Sequence, residues 1–210
     1  VEKGKLTSSC CPAFVSYIEK SFPDLLPYVS HNLSPMAELG RYLKEKDPNC
    51  KVVFIGPCTA KKAEIKKDKV KPYIDSVMTF EELQALIDAK EINVTALEED
   101  ELNDASFYGR IFAHSGGLTG AVGKSLKEQN LDFEVMPATC SGILECKAAL
   151  LKLSKGVLKE NFIEGMACDG GCVNGAGCLT HNGAKAAFKV DTHAKQAGDN
   201  ITNAVENAKP

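Results

Sequence analysis

Five of the nine cysteines in this chain lie in three widely separated segments, and this pattern constrains the fold most. The adjacent pair Cys10 and Cys11 lies in TSSCCPAF, Cys58 in FIGPCTAKKAE, and Cys168 and Cys172 in EGMACDGGCVNGAGC. Each segment contains Gly or Pro, which favour tight turns that surround a thiol with backbone N–H groups. Four soft thiolates can hold an iron–sulfur cluster, whose potential depends on such backbone donors. One of the five cysteines must then have a different role.

The composition is that of a folded protein with an excess of cysteine. Hydrophobic residues make up 44% of the 210 positions and charged residues 25%. The net charge of -3 gives no electrostatic reason to expect nucleic acid or an anionic membrane as a partner. No apolar stretch approaches the roughly 20 residues that cross a bilayer, and no signal peptide is recognisable. We therefore expect a soluble, cytoplasmic protein that binds neither nucleic acid nor membrane.

The cysteine count and spacing favour cluster ligation over disulfides. The number of cysteines is odd, and a chain with this apolar content needs no disulfide bonds to build a core. A tetrahedral zinc site is the competing interpretation. Zinc sites usually contain compact C-x2-C pairs, whereas Cys168 and Cys172 have the spacing C-x3-C and the other cysteines are distant in sequence. Spacing and ligand softness therefore favour a cluster over zinc.

Hydrophobic periodicity and turn residues predict an α/β protein. Helices are predicted over residues 12–22, 34–46, 80–88 and 143–153, after the turn at 114–117, and in the tail 185–209. Strands are predicted over residues 51–55, 76–79, 133–137 and 162–167. Because open α/β sheets bind ligands outside the carboxyl ends of their strands, Cys58 and Cys168 lie where a site is expected. The acidic stretch 98–104 is interpreted as a solvated surface segment.

Taken together, the three cysteine segments resemble the signature segments of iron-only (FeFe) hydrogenases, in the same order and with matching internal spacing. The resemblance spans residues 7–181. It implies an α/β fold with two lobes of small mixed or parallel sheets, flanked by helices, with the cluster site between the lobes.

By this resemblance, Cys11, Cys58, Cys168 and Cys172 would ligate a 4Fe-4S cubane. Cys172 would also bridge to a two-iron subsite with CO, cyanide and azadithiolate, which together with the cubane forms the H-cluster. The family's cysteine at the position of Cys10 passes protons to and from the dithiolate amine. A thiol suits this role because its ordinary pKa of about 8.5 lies near working pH. A buried spectator thiol is the alternative for Cys10.

The resemblance also assigns roles to several residues outside the cysteine set. Lys61 matches a lysine that donates to a cyanide ligand, and a compact ammonium suits a buried anion. Glu64 and Ser30 match a carboxylate and a hydroxyl on the proton route, with an exposed side chain as the alternative for both. The turn at Gly116 and Gly117 is predicted to approach the cofactor, and Met166 is retained from the family's pocket.

Departures from the family pattern alter the expected surroundings of the site. Gly56 and Met36 replace a methionine and a polar residue of the best-studied enzymes, and a Gly-Gly-Gly-Gln-Pro run is Gly-Ala-Gly-Cys-Leu at residues 175–179. The sequence begins six residues before Thr7, so we expect the domain, residues 1–210, to be incomplete at its N-terminal side. It contains no ferredoxin-like C-x2-C-x2-C run to deliver electrons.

Of the four remaining cysteines, Cys50 precedes a predicted strand and receives no role. Cys178 lies six residues after Cys172, which predicts either a thiol just outside the ligands or a sulfur close to the cluster. Cys140 and Cys146 flank the start of a predicted helix and are expected to be structural.

The leading hypothesis is a hydrogenase-type domain that interconverts protons plus electrons with H2, or that senses H2 at the same site. Its partners would be H2 and protons, an external electron carrier such as a ferredoxin or another chain, and maturation proteins. The competing hypothesis is a cluster-only protein that keeps the cubane and acts in iron–sulfur assembly or electron transfer. Cys10 and Lys61 argue against it, since both serve the two-iron unit. A zinc structural module is the third hypothesis.

Overall fold

The computed structural model of the protein describes residues 4–100 and 105–207. Within these residues the strands are β1 (Leu6–Thr7), β2 (Val53–Gly56), β3 (Ser76–Thr79), β4 (Pro137–Ser141) and β5 (Phe162–Met166). The α-helices are α1 (Pro12–Ser21), α2 (Pro35–Lys46), α3 (Ala60–Glu64), α4 (Phe80–Ala89), α5 (Phe107–Arg110), α6 (Gly117–Glu128), α7 (Ile143–Ser154), α8 (Gly183–Ala194) and α9 (Ile201–Asn207).

The strands form two separate sheets, in which every pairing is parallel. The larger sheet has the order β1-β5-β4, and the smaller one contains β2 and β3. Strand β5 is central and buried along its whole length, as expected for a parallel strand covered on both faces. Helices flank both sheets. The predicted α/β fold with two lobes of small parallel sheets is therefore confirmed.

Each sheet is associated with its own hydrophobic core. The first core lies against the larger sheet and includes Phe14, Ile18 and Leu150, none of which is exposed. A Cβ at Gly165 would lie 2.4 Å from the Phe14 ring, so α1 packs directly on β5. The second core includes Met36, which is 6% exposed. The packing of α1 places the first cysteine pair over the end of β5.

Helix starts follow the capping residues that the sequence supplies. Ser34 accepts a hydrogen bond from the Ala37 N–H and precedes Pro35 at the first position of α2, as predicted. Thr79 and Glu82 form a capping box at the start of α4. These local signals explain why α2 and α4 begin at the predicted residues.

One predicted strand is wrong, and the tail differs from its prediction. The strand expected over residues 133–137 runs instead over Pro137–Ser141, because Phe133 and Val135 line a cavity while Cys140 is the buried residue of β4. The predicted tail helix is interrupted between α8 and α9, and residues 208 and 209 lie outside the described residues.

Two surface expectations can be compared with the described residues. Residues 98–100 of the acidic stretch are exposed, as expected, whereas residues 101–104 lie outside the described part of the chain. Among the helices of the described residues, none combines the length and apolar character that a membrane crossing requires.

Candidate metal centre

Turns at the carboxyl ends of β1, β2 and β5 position the five cysteines. Cys11 is the N-cap of α1 with an extended backbone, φ -95° and ψ 107°. Cys58 follows β2, Cys168 follows β5, and Cys172 begins a 3-10 turn that ends at Asn174. Because β1 and β5 are parallel neighbours, Cys11 and Cys168 emerge at the same edge of the larger sheet.

The thiols of the four predicted ligands lie within electrostatic range of one another. Burial raises the pKa of Cys172 to about 12, and the thiols of Cys11, Cys58, Cys10 and Cys168 contribute to the rise. Burial also raises the pKa of Cys168, with added effects from Cys11 and Cys58. The structure therefore brings together sulfurs from three segments that are far apart in sequence.

The candidate site offers four free thiols, of Cys11, Cys58, Cys168 and Cys172, as donors. Within residues 4–100 and 105–207, no three His, Cys, Asp or Glu side chains are grouped as one ion would require. A zinc ion holds its ligands at about 2.0–2.3 Å from one centre. In a cubane, by contrast, each thiolate binds its own iron atom. Four soft thiolates are a donor set that suits an iron–sulfur cluster.

Backbone donors surround the sulfur of Cys58. Burial raises the pKa of this thiol, while hydrogen bonds from the N–H groups of Lys61 and Ala60 oppose the rise. The Gly177 N–H donates to the Pro57 carbonyl at 2.9 Å, so the loop after Cys172 packs on the turn that contains Cys58. Such donors favour the thiolate form that a metal requires.

The loop between Cys168 and Cys172 packs tightly against a neighbouring turn. Gly171 has a φ of +91°, and a Cβ there would lie 2.7 Å from the Ser115 nitrogen. The Ser115 N–H donates to the Gly170 carbonyl at 3.2 Å, and His114 pairs with Gly171 in an antiparallel bridge. Only glycine fits at position 171, because any side chain would combine a left-handed conformation with a clash.

Cys10 and Ser30 both line a cavity of about 720 Å³. Burial and the neighbouring Cys11 thiol raise the pKa of Cys10 to about 11, whereas a hydrogen bond with Ser8 and the charge of Lys61 oppose the rise. Ser30 is half-buried, and its hydroxyl accepts a hydrogen bond from the Asn32 N–H at 3.3 Å. The predicted proton-route residues Cys10 and Ser30 are therefore neighbours of the same cavity.

Lys61 and Glu64 form a buried ion pair beside Cys10. The Lys61 Nζ lies 2.8 Å from Glu64 Oε2, and only 8% of Lys61 and 7% of Glu64 are exposed. The same ammonium donates to the Cys10 carbonyl at 3.4 Å. The alternative of an exposed Glu64 is therefore wrong, because its carboxylate is held inside by the lysine of the same helix.

Gly116, Gly117 and Met166 have packing contacts within the protein. The Gly116 N–H donates to Glu164 at 2.8 Å, and the Gly117 N–H donates to the His114 carbonyl at 3.1 Å. Met166 is only 2% exposed at the end of β5. Contact of these three residues with a cofactor remains a prediction.

Sequence reasoning missed two polar residues near the site. Ser8 accepts a hydrogen bond from the Gly165 N–H at 3.1 Å and also bonds the Cys10 thiol. Glu164 is fully buried on β5. The sequence signal for Glu164 is its position inside the apolar strand sequence FIEGM. A carboxylate buried at such a position requires hydrogen-bond donors.

Three of the other cysteines, Cys178, Cys140 and Cys146, are buried. Cys178 is 7% exposed, its sulfur lies 3.7 Å from the Cys172 carbonyl, and its thiol contributes to the raised pKa of Cys168. Cys140 and Cys146 are buried in the first core, which agrees with structural roles.

The sequence matches the family described as "Iron only hydrogenase large subunit, C-terminal domain" over residues 1–176. The chain belongs to this family. Among its relatives, Iron hydrogenase 1 of Clostridium pasteurianum is 33% identical over 88% of this chain and 39% of its own length. The cytosolic Fe-S cluster assembly factor NAR1 of Kluyveromyces lactis is 38% identical over 40% of this chain and 18% of its own length.

Solved structures of the same family share the fold. The apo [FeFe]-hydrogenase HydA1 of Chlamydomonas reinhardtii, in a cysteine variant, superposes with a TM-score of 0.66 at 23% identity. The match covers 97% of this chain and 69% of that one. This chain spans less than half the length of the two curated relatives named above.

Proposed function

We propose that this chain is the H-cluster-binding part of a hydrogenase-type protein that interconverts H2 with protons and electrons, or that senses H2. The position of Cys10 and Lys61 next to the four predicted ligands supports the proposal most directly. A protein that needed only a cubane would require the four thiolates. It would not require the buried Cys10 thiol and the buried Lys61 ammonium next to them.

The proposed ligands of a 4Fe-4S cubane are Cys11, Cys58, Cys168 and Cys172, and Cys172 would also serve a two-iron subsite with CO, cyanide and azadithiolate. When bound, this cofactor supplies electron storage and the chemistry of the H–H bond. The protein supplies thiols in a partly dry pocket. Since burial raises the pKa of Cys58, Cys168 and Cys172, iron binding must displace protons from them.

In this proposal Cys10 holds the proton that is exchanged at the site. Its thiol and the Ser30 hydroxyl border the same cavity, which provides a path for that exchange. Lys61 is oriented by Glu64 and by the Cys10 carbonyl. This fixes the ammonium as a donor to a buried anionic ligand and removes the cost of ordering a flexible side chain during binding.

The second candidate is a cluster-only protein that acts in iron–sulfur assembly or electron transfer. The 38% identity to a cytosolic Fe-S cluster assembly factor is the observation that favours it. In both candidates the partners would include an external electron carrier or another chain, together with proteins that insert iron. A cytoplasmic location remains a prediction in both.

Anaerobic iron analysis and infrared spectroscopy of the matured protein test these candidates. The hydrogenase-type site requires about six iron atoms per chain and infrared bands of iron-bound CO and cyanide, whereas a cubane alone contains about four. Maturation by competent partner enzymes that yields four irons and no such bands would support the cluster-only candidate. One zinc with no iron would contradict both.

Two cysteine variants make the iron test specific. Cys172→Ser should lose the two-iron unit before the cubane, because this residue would bind both. Cys50→Ser is the matched control, since Cys50 lies between α2 and β2 and is not among the predicted ligands. Equal loss of iron from both variants would contradict the proposed ligand set.

A further inference from the structure

Glu164 is a buried carboxylate that the proposed chemistry does not use. It lies on β5 with no exposed surface. Its Oε1 accepts from the Gly116 N–H at 2.8 Å, and its Oε2 accepts from the Thr119 N–H at 2.8 Å and from the Thr119 hydroxyl at 2.5 Å. These donors lie at the N-terminal end of α6, whose partial positive charge favours a carboxylate. Both oxygens are fixed, so the group is a structural acceptor.

The turn that Glu164 holds is the same turn that supports the cysteine loop. Gly116 follows Ser115, whose N–H donates to the Gly170 carbonyl at 3.2 Å. His114 pairs with Gly171 across an antiparallel bridge. The contacts from Glu164 to residues 114–116, and from these to residues 170–171, form a continuous chain. Its far end lies between Cys168 and Cys172.

We propose that Glu164 is the positioning residue of the Cys168–Cys172 loop. Strand β5 leads directly into Cys168, and the carboxylate on this strand ties the start of α6 back to it. The loop is thereby fixed at two places, through its own strand and through the turn at residues 114–116. The effect of Glu164 on the position of the loop is independent of the proposed function. Its effect on a bound cluster rests on that function.

Glu128 provides a matched control at the opposite end of the same helix. Its carboxylate also accepts hydrogen bonds from two backbone N–H groups, of Ile201 and Thr202, and from the Thr202 hydroxyl. These donors belong to α9, which contains none of the predicted ligands. Replacement of either glutamate by glutamine places an amide NH2 where only acceptors fit. Glu128→Gln also weakens the pair with Lys124 at 3.5 Å, so the control variant carries at least as large a local defect.

Thiol alkylation of the anaerobic apo protein tests the inference without any cluster. Iodoacetamide modification is followed at each cysteine by mass spectrometry. Glu164→Gln should accelerate modification of Cys168 and Cys172 about tenfold, the effect of losing a buried hydrogen bond that opposes local opening. Glu128→Gln should leave both rates within about twofold of the unchanged protein. Equal acceleration in the two variants would overturn the proposal.

Cys50 distinguishes local from global effects, because it lies between α2 and β2 in the smaller lobe. Acceleration at Cys50 equal to that at Cys168 in Glu164→Gln would indicate general unfolding and would also overturn the proposal. If Glu164→Gln does not fold, Thr119→Val removes only the hydroxyl donor and should produce a smaller acceleration at the same two cysteines. An unchanged rate at both cysteines in Thr119→Val would then contradict the proposal.

Iron release to a chelator extends the test to the reconstituted protein. Glu164→Gln should release iron about tenfold faster than Glu128→Gln, the usual size of an effect from residues that orient metal ligands. Failure of the unchanged chain to bind iron would refute the proposed function, while the alkylation rates would still decide the role of Glu164.

Discussion

The Lys61 Nζ lies 2.8 Å from Glu64 Oε2, and both side chains are almost completely removed from solvent. The adjacent Lys62 forms a pair of nearly equal length, 2.7 Å, with Glu82, but those side chains are 39% and 50% exposed. Two pairs with similar geometry therefore differ mainly in hydration. Because a buried charge without a partner is costly and an exposed one is not, the two lysines should respond very differently to substitution.

Lys61→Met should destabilise the apo protein by about 3–5 kcal/mol, because the Glu64 carboxylate would remain buried without its partner. Lys62→Met should change stability by less than about 1 kcal/mol. Urea unfolding followed by circular dichroism measures both. The double variant Lys61→Met/Glu64→Leu should recover most of the lost stability without restoring the proposed lysine function. Equal effects of the two single lysine variants would contradict this account.

Cys10→Ala should retain the cubane but reduce H2 turnover by about 10²–10⁴-fold, the usual contribution of a positioned proton-transfer group. The measurement is H2 evolution by the matured protein with a chemical reductant, with iron content determined on the same sample. Cys50→Ala is the matched control and should retain both iron and turnover. Unchanged turnover in Cys10→Ala at full iron content would remove this thiol from the mechanism.

Gly171→Ala should destabilise the protein by about 1–3 kcal/mol through its left-handed backbone alone, with a further cost from the contact with Ser115. Gly123→Ala is the matched control. A Cβ at Gly123 meets nothing within 4 Å, and its position inside α6 predicts a gain of about 0.5–1 kcal/mol. Urea unfolding gives both values. If Gly171→Ala leaves the free energy of unfolding unchanged, the prediction is contradicted and the loop relaxes away from Ser115 at little cost.

Acid should weaken the smaller lobe through Asp75. Its carboxylate accepts hydrogen bonds from Lys44 at 2.7 Å and from the Val52 N–H at 2.8 Å, and these contacts lower its pKa to about 2. A carboxyl group with a folded pKa below its ordinary value of 3.8 stabilises the fold above pH 3.8. That contribution is lost as the pH falls toward 2.

Asp75→Asn should therefore flatten the dependence of unfolding free energy on pH between 3.8 and 2. Urea titrations across this range measure the slope. Asp132→Asn, at an exposed position, serves as the control and should keep the slope of the unchanged protein. A slope that is identical in Asp75→Asn and Asp132→Asn would show that Asp75 is not linked to folding.

Local signals in the sequence were sufficient for most of the fold. Pro12 and Pro35 mark helix starts that the structure confirms, and the apolar runs around Val53 and Phe162 became parallel strands. The three cysteine turns were predictable because Gly and Pro fix their conformation. The family resemblance then supplied the expectation that their thiols meet, and the structure brings those thiols together.

Other features depend on contacts that no local pattern records. Strand β4 was misplaced because Phe133 and Val135 are as apolar as a strand requires, yet they face a cavity. The partner of Glu64 lies only three residues away in sequence, but its burial depends on how α3 packs against other elements. The donors to Glu164 lie some 45 residues earlier in the chain. Tertiary packing, and not local propensity, determines the position of β4, the burial of Glu64 and the donors to Glu164.

The parallel pairing of β1 with β5 joins Leu6 to Phe162 and therefore has a consequence for biosynthesis. A ribosome adds about 5–20 residues per second, so Cys10 and Cys11 precede Cys168 by roughly ten to thirty seconds. During that interval β1, which precedes the early thiols, has no partner strand. We infer that the cysteine site forms only after β5 has been synthesised and has docked against β1.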